Sequence, residues 1–259
     1  MIHRSFCIYH LGDLFPQIHF IRLLALENPA EQFEFYVHPC YFPEINPLIH
    51  DAVNVTLHPL DNCPQGARDV WKQHQEFWSR SRFRYDWASF YVEWFRVLSA
   101  EMGLPSPIRS VEDLLFDEHC IREPLPAGIP PAAVLINNAQ PCSGQFLAYN
   151  ATDCLDPLIA AIAKKHPVIT TSKSATGVPC TRDYGLNCAQ IGGLSLACEH
   201  VVGVVNGPIF LTFNKWNRER MKTWLFLRDN GENMNLMPTE HYASTLDMAL
   251  KKAQILGLA

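Results

Sequence analysis

The chain has 259 residues, 48% hydrophobic and 18% charged, the profile of an ordinary globular protein. It is long enough for one large domain or two of about 130 residues each. A net charge of −5 argues against nucleic acid as the main partner. No stretch approaches the ~20 apolar residues of a membrane span, and the N-terminus lacks a signal-peptide layout.

The elements follow in chain order. Residues 5–10 form a short apolar strand ended by Leu11-Gly12-Asp13, and Pro16 then opens a helix with Ile18, Ile21 and Leu24 on one face. Strands are expected at 33–37 and 53–57. Strand, helix, strand implies a crossover and hence a parallel sheet. Two longer helices follow: one uses Val70, Trp71, His74, Phe77 and Trp78, the other Phe90, Trp94, Val97 and Leu98. Residues 123–131, the densest Pro/Gly stretch, read as a linker between halves 1–122 and 132–259. The pattern then restarts: strand 134–138, helix 156–165, strand 168–171, helix 187–198, strand 201–205 and strand 224–228. Thr239 caps a closing helix with Tyr242, Leu246, Leu250, Ala253 and Leu256 inward.

Absent motifs narrow the chemistry. There is no G-x-x-x-x-G-K-[ST], G-x-G-x-x-G, H-E-x-x-H or G-x-S-x-G, and no D-x-D to present a divalent metal to a diphosphate. Nine cysteines are scattered without a C-x-x-C pair, which fits reduced, buried thiols in a cytoplasmic protein. No histidine pair has metal-ligand spacing, so no metal site is expected.

Five places remain as candidates. Gly12-Asp13 lies where the first strand meets the first helix, and its carboxylate is either a general base or a first-turn acid complementing the helix dipole. His10, just before it, is the one histidine singled out as functional. Asn206-Gly207-Pro208 ends an apolar strand and opens a helix, so its backbone amides either face a phosphate or simply make the turn. Thr171, Ser172 and Lys173 end another strand, and Ser143 and Gln145 lie in the loop after a third. Three loops converging at one sheet edge would form one pocket. Arg80, Arg82 and Arg84, among ten aromatics between Trp71 and Phe95, offer an acceptor surface. Most of those aromatics fall at helical spacing and read as core.

Two sequence segments carry a family resemblance: strand–x-G-D–helix at the N-terminus, and I-G-x-L-S-x-x-C-x-x-V-V-G-V-x-x-G-P at residues 191–208. Together they resemble the ADP-heptose:lipopolysaccharide heptosyltransferases and, more broadly, the two-Rossmann-domain (GT-B) glycosyltransferases. Val205-Asn206 stands where that family usually has Asp-Thr, and Phe210 where a His is common. The resemblance implies an α/β protein of two compact Rossmann-like domains facing across a cleft. It implies Asp13 as the base, with His10, Gly12 and the three arginines on the acceptor side in residues 1–122. Ser143, Gln145, Thr171, Ser172, Lys173, Asn206, Gly207 and Pro208 would hold a nucleotide-diphosphate sugar in residues 132–259. It implies metal-independent sugar transfer to a glycan, lipid-linked or protein acceptor, with no separate cofactor. A nucleotide-sugar epimerase or hydrolase on the same fold, or a non-catalytic descendant that binds a glycan, nucleotide or protein partner, stays open.

Overall fold

The computed structural model describes residues 1–8, 10–83, 85–117, 120–121, 124–140, 155–228 and 233–259. By packing, the chain divides into two units, Met1–Phe116 with Met234–Leu236, and Asp117–Asn233 with Met237–Ala259. Residues 124–131 of the expected linker contain no helix or strand.

The first unit holds β1 (Ile2–Phe6), α1 (Leu11–Glu27), β2 (Gln32–Val37), β3 (Val55–Pro59), β4 (Arg68–Asp69), α2 (Val70–Arg80) and α3 (Trp87–Glu101). The strands pair in parallel in the order β3-β2-β1-β4. β1 therefore lies earlier than the expected 5–10, and β3 lies later than 53–57. α1 is buried on most of its circumference, through Leu14, Phe15, Ile18, Phe20, Ile21 and Leu24. An all-round apolar helix gains little from amphipathic registry and is held by packing on every side. That packing also carries α1 back to Leu11, so Pro16 lies inside the helix rather than at its start. Its missing N–H leaves the Gly12 carbonyl without its helical donor, a tolerable loss near the N-terminus. Asp69 caps α2 by accepting from the Lys72 N–H at 2.8 Å, and Asp86 caps α3 by accepting from the Ser89 N–H at 3.1 Å. The aromatics between Trp71 and Phe95 mostly pack together, as their spacing suggests: Phe90, Tyr91, Trp94 and Phe95 are all buried.

The second unit holds β5 (Val134–Asn137), α4 (Asp156–Ala163), β6 (Val168–Thr170), α5 (Cys188–Ser195), β7 (His200–Val204), α6 (Gly207–Phe210), α7 (Lys215–Arg220), β8 (Thr223–Leu227), β9 (Glu240–Ala243) and α8 (Leu246–Ile255). All pairs are parallel, in the order β6-β5-β7-β8-β9. A parallel sheet covered on both faces needs near-continuous apolar strands, and β7 (HVVGV) and β8 (TWLFL) are buried throughout. α4 and α8 share a core with one face, joining Leu158, Ile162, Ala249 and Ala253 to Val134, Ile136, Val202 and Leu225. Phe213 stacks on Trp224 at 5.1 Å. α5 begins with a capping box in which the Asn187 side chain accepts from the Gln190 N–H, and Gln190 accepts from the Asn187 N–H. The expected closing helix is corrected at its start. Residues Glu240–Ala243 extend the sheet, taking Tyr242 into a strand, and Thr245, not Thr239, caps α8. Among the described residues no helix is long and apolar enough to cross a membrane.

Candidate functional site

In an open parallel sheet, ligands gather beyond the carboxyl ends of the strands where the strand order reverses, because flanking loops splay apart there. In the first unit that point lies between β1 and β4, whose carboxyl ends align as Phe6 with Asp69. In the second unit, order β6-β5-β7 places it between β5 and β7, paired as Asn137 with Gly203.

At the first point, His10 is the N-cap of α1, without a side-chain cap bond, and its carbonyl accepts from the N–H groups of Asp13 and Leu14, each at 3.1 Å. Gly12 and Asp13 sit in the first helical turn, as the first-turn reading of Asp13 has it, and not in a tight turn before the helix. Asp13 is half-buried, and no ion pair or side-chain hydrogen bond reaches its carboxyl among the described residues. The surrounding protein strips water from the charged form and pushes its pKa up to about 7. A carboxyl so placed changes protonation state near neutral pH, as a general base must.

At the second point the strand ends expected from sequence come together. Asn137 and Asn138, both fully buried, organise it. Asn137 Nδ2 donates to the Val204 carbonyl at 2.5 Å and to Asn206 Oδ1 at 2.7 Å, and its Oδ1 accepts from Thr171 Oγ1 at 2.6 Å. Asn138 exchanges two bonds with the Ser172 backbone, at 2.8 and 2.9 Å. Asn206 Nδ2 donates to the Ala139 carbonyl at 2.8 Å. Thr171 and the Asn206 side chain thus brace the strand ends. Ser172 is buried as well, and its Oγ has no partner among the described residues. Lys173 stands out in solvent beside Asp183 at 3.2 Å.

What remains open is the turn itself. Asn206, Gly207 and Pro208 are half-exposed, and the Gly207 N–H has no partner among the described residues. α6 is four residues long, so its dipole adds little, and Pro208 has no N–H to offer. Gly203 keeps the two strands close: at φ +125°, an added Cβ would lie 2.1 Å from the Asn137 carbonyl oxygen. The two-asparagine strand end at 137–138 was the visible signal for this network.

Two of the remaining candidates are engaged locally. Arg80 bends back to its own helix, its Nε donating to the Glu76 carbonyl at 3.1 Å, and Arg82 lies over the Phe83 ring at 4.6 Å. Arg84, Ser143 and Gln145 fall outside the described residues. Among the described residues no group of three His, Cys, Asp or Glu is gathered to hold a metal ion.

No known protein family and no curated protein matches the chain by sequence. Solved structures do match by shape. Escherichia coli heptosyltransferase WaaC, with ADP-2-deoxy-2-fluoro heptose, aligns over 100% of both chains at TM-score 0.50 and 10% identity. The same enzyme with ADP gives 0.50 and 11%. The fold is that of the heptosyltransferases. TibC, described as a dodecameric iron-containing heptosyltransferase in complex with ADP-D-beta-D-heptose, aligns at 0.52 and 13% identity, over 94% of this chain and 64% of its own. At such identities the shared fold, with its two parallel sheets, is what the likeness establishes.

Proposed function

We propose that the protein transfers a sugar from a nucleotide-diphosphate donor to an acceptor hydroxyl. The observation that carries this reading is Asp13: a carboxyl without a side-chain partner among the described residues, raised to about 7 at the switch point of the first sheet, in a fold shared with nucleotide-sugar enzymes. Asp13 takes the hydroxyl proton as the oxygen attacks the anomeric carbon, and the nucleoside diphosphate departs with the bonding pair. The donor diphosphate lies at the β5/β7 switch point, where the Gly207 N–H meets the charge that develops on the leaving group. Ser172 Oγ lies beside that point, though buried in the free protein. The acceptor belongs to the first unit. The lack of a D-x-D motif in the sequence fits a reaction written without a metal.

The test is Asp13→Asn, which keeps the shape and removes the base. With a matched donor and acceptor, kcat is expected to fall at least ~10²-fold while donor binding holds. Unchanged transfer by the variant removes Asp13 from the chemistry. Donor cleavage that needs no acceptor would instead identify a hydrolase on the same fold.

A further inference from the structure

Gln17 lies one helical turn after Asp13 on α1. It is 0% exposed, and neither Oε1 nor Nε2 has a partner among the described residues. Buried amides are rarely left with both ends unmet, because each end forfeits its water. Four residues earlier on the same helix stands Asp13, whose carboxyl no ion pair or side-chain hydrogen bond reaches among the described residues. Residues four apart on a helix are neighbours, and long helical side chains lean toward the N-terminus, which brings Gln17 over the turn carrying Asp13.

We infer that the Gln17 carboxamide is the hydrogen-bond donor that holds the Asp13 carboxylate once it is ionised, making Gln17 a positioning residue for the base. The inference rests on the base assignment above. With a neutral carboxyl the amide has little to gain from the contact. When the acceptor is absent and Asp13 ionises, a turn about the Gln17 side-chain torsions brings Nε2 to a carboxylate oxygen. The amide moves no proton; it orients the carboxylate lone pair and lowers the cost of its charge in a poorly solvated place. The other charged or titratable groups on α1 and the elements packed on it are engaged elsewhere. His19 Nε2 bonds the Asp113 carbonyl at 2.9 Å, Arg22 pairs with Asp51 at 2.5 Å, Glu34 pairs with Arg4 at 2.7 Å, and His58 stacks on Tyr36 at 4.9 Å. His10 precedes the helix. None of these charges sets the Asp13 protonation, whose perturbation has burial as its cause.

The experiment titrates the Asp13 carboxyl carbon by 13C NMR in the free protein, assigned by its loss in Asp13→Asn. Wild type is compared with Gln17→Met, which keeps length and apolar volume but cannot donate, and with Gln17→Leu should Met fail to fold. The expected result is a midpoint raised by about one pH unit in either variant, as for loss of one hydrogen bond to the charged form. The acid limb of the transfer pH profile should move by the same amount, with KM unchanged. An unmoved midpoint overturns the inference, including when the variant gains stability in urea from losing a buried amide. A raised midpoint in a protein with no transfer activity supports the hydrogen bond and removes the base assignment, so the two can fail separately.

Discussion

His74 gives the sharpest stability prediction. The ring lies in the α2–α3 aromatic cluster, stacked on Trp71 at 5.0 Å and edge-on to Trp94 at 4.9 Å and Phe90 at 5.0 Å. It is 6% exposed, neither ring nitrogen has a partner among the described residues, and burial lowers its pKa from 6.5 to about 4. The folded protein therefore resists the proton that the unfolded chain accepts. Stability from this residue is complete above the unfolded value near 6.5 and is lost as pH falls toward the folded value near 4. The difference of about 2.5 units amounts to roughly 3 kcal/mol, of which about 2.5 is gone by pH 4.5. His74→Phe keeps the aromatic packing and removes the titration. Urea unfolding followed by tryptophan fluorescence, at pH 7.5, 6.5, 5.5 and 4.5, should show the wild type losing about 2.5 kcal/mol more than the variant over that range. Four of the six tryptophans, at 71, 78, 87 and 94, report on the first unit, where the effect belongs. Parallel pH dependences for the two proteins would show that the ring is solvated or charged in the fold, and would refute the argument.

Three further variants concern the strand ends of the second unit. Gly203→Ala forces a Cβ against the Asn137 carbonyl from a left-handed backbone, and should cost at least about 2 kcal/mol of stability by chemical denaturation. Thr171→Val leaves Asn137 Oδ1 without its hydroxyl donor and should cost about 1–2 kcal/mol. Ser172→Ala removes a hydroxyl with no partner among the described residues and should leave stability within about 0.5 kcal/mol. If that hydroxyl serves the donor, the same alanine variant weakens nucleotide binding by calorimetry, whereas equal affinity would take Ser172 out of the site.

Much of the architecture was legible because parallel strands buried on both faces must be apolar throughout. Val201 to Val204 and Trp224 to Leu227 leave no other reading. Asn187 and its capping-box partner Gln190 likewise mark where α5 begins. Boundaries failed where tertiary packing overruled local signals. Pro16 reads as a helix start, yet the buried faces of Leu14 and Phe15 draw the helix back over Gly12 and Asp13. The strand Glu240–Ala243 hid inside a helical spacing because all its residues but Ala243 are only half-buried and its pairing with β8 is long-range in character. At the site, sequence located the strand ends but could not assign side-chain direction. Thr171 and Asn206 carry ligand-like groups, but the buried amides of Asn137 and Asn138 need partners more, and they take them. His74 reads only as a helix position and Gln17 carries no signal, since nothing in a single sequence reveals that a polar atom will be left unmatched.

The central claim is that the turn after β7 receives the diphosphate of a nucleotide sugar. Crystals of the protein soaked with nucleoside diphosphates test it directly. The account predicts the diphosphate oxygens within ~2.7–3.2 Å of the Gly207 N–H, with the Asn137–Asn206 bonds intact. A nucleotide bound away from the β5/β7 switch point, or a Gly207 amide turned from every phosphate oxygen, would contradict it.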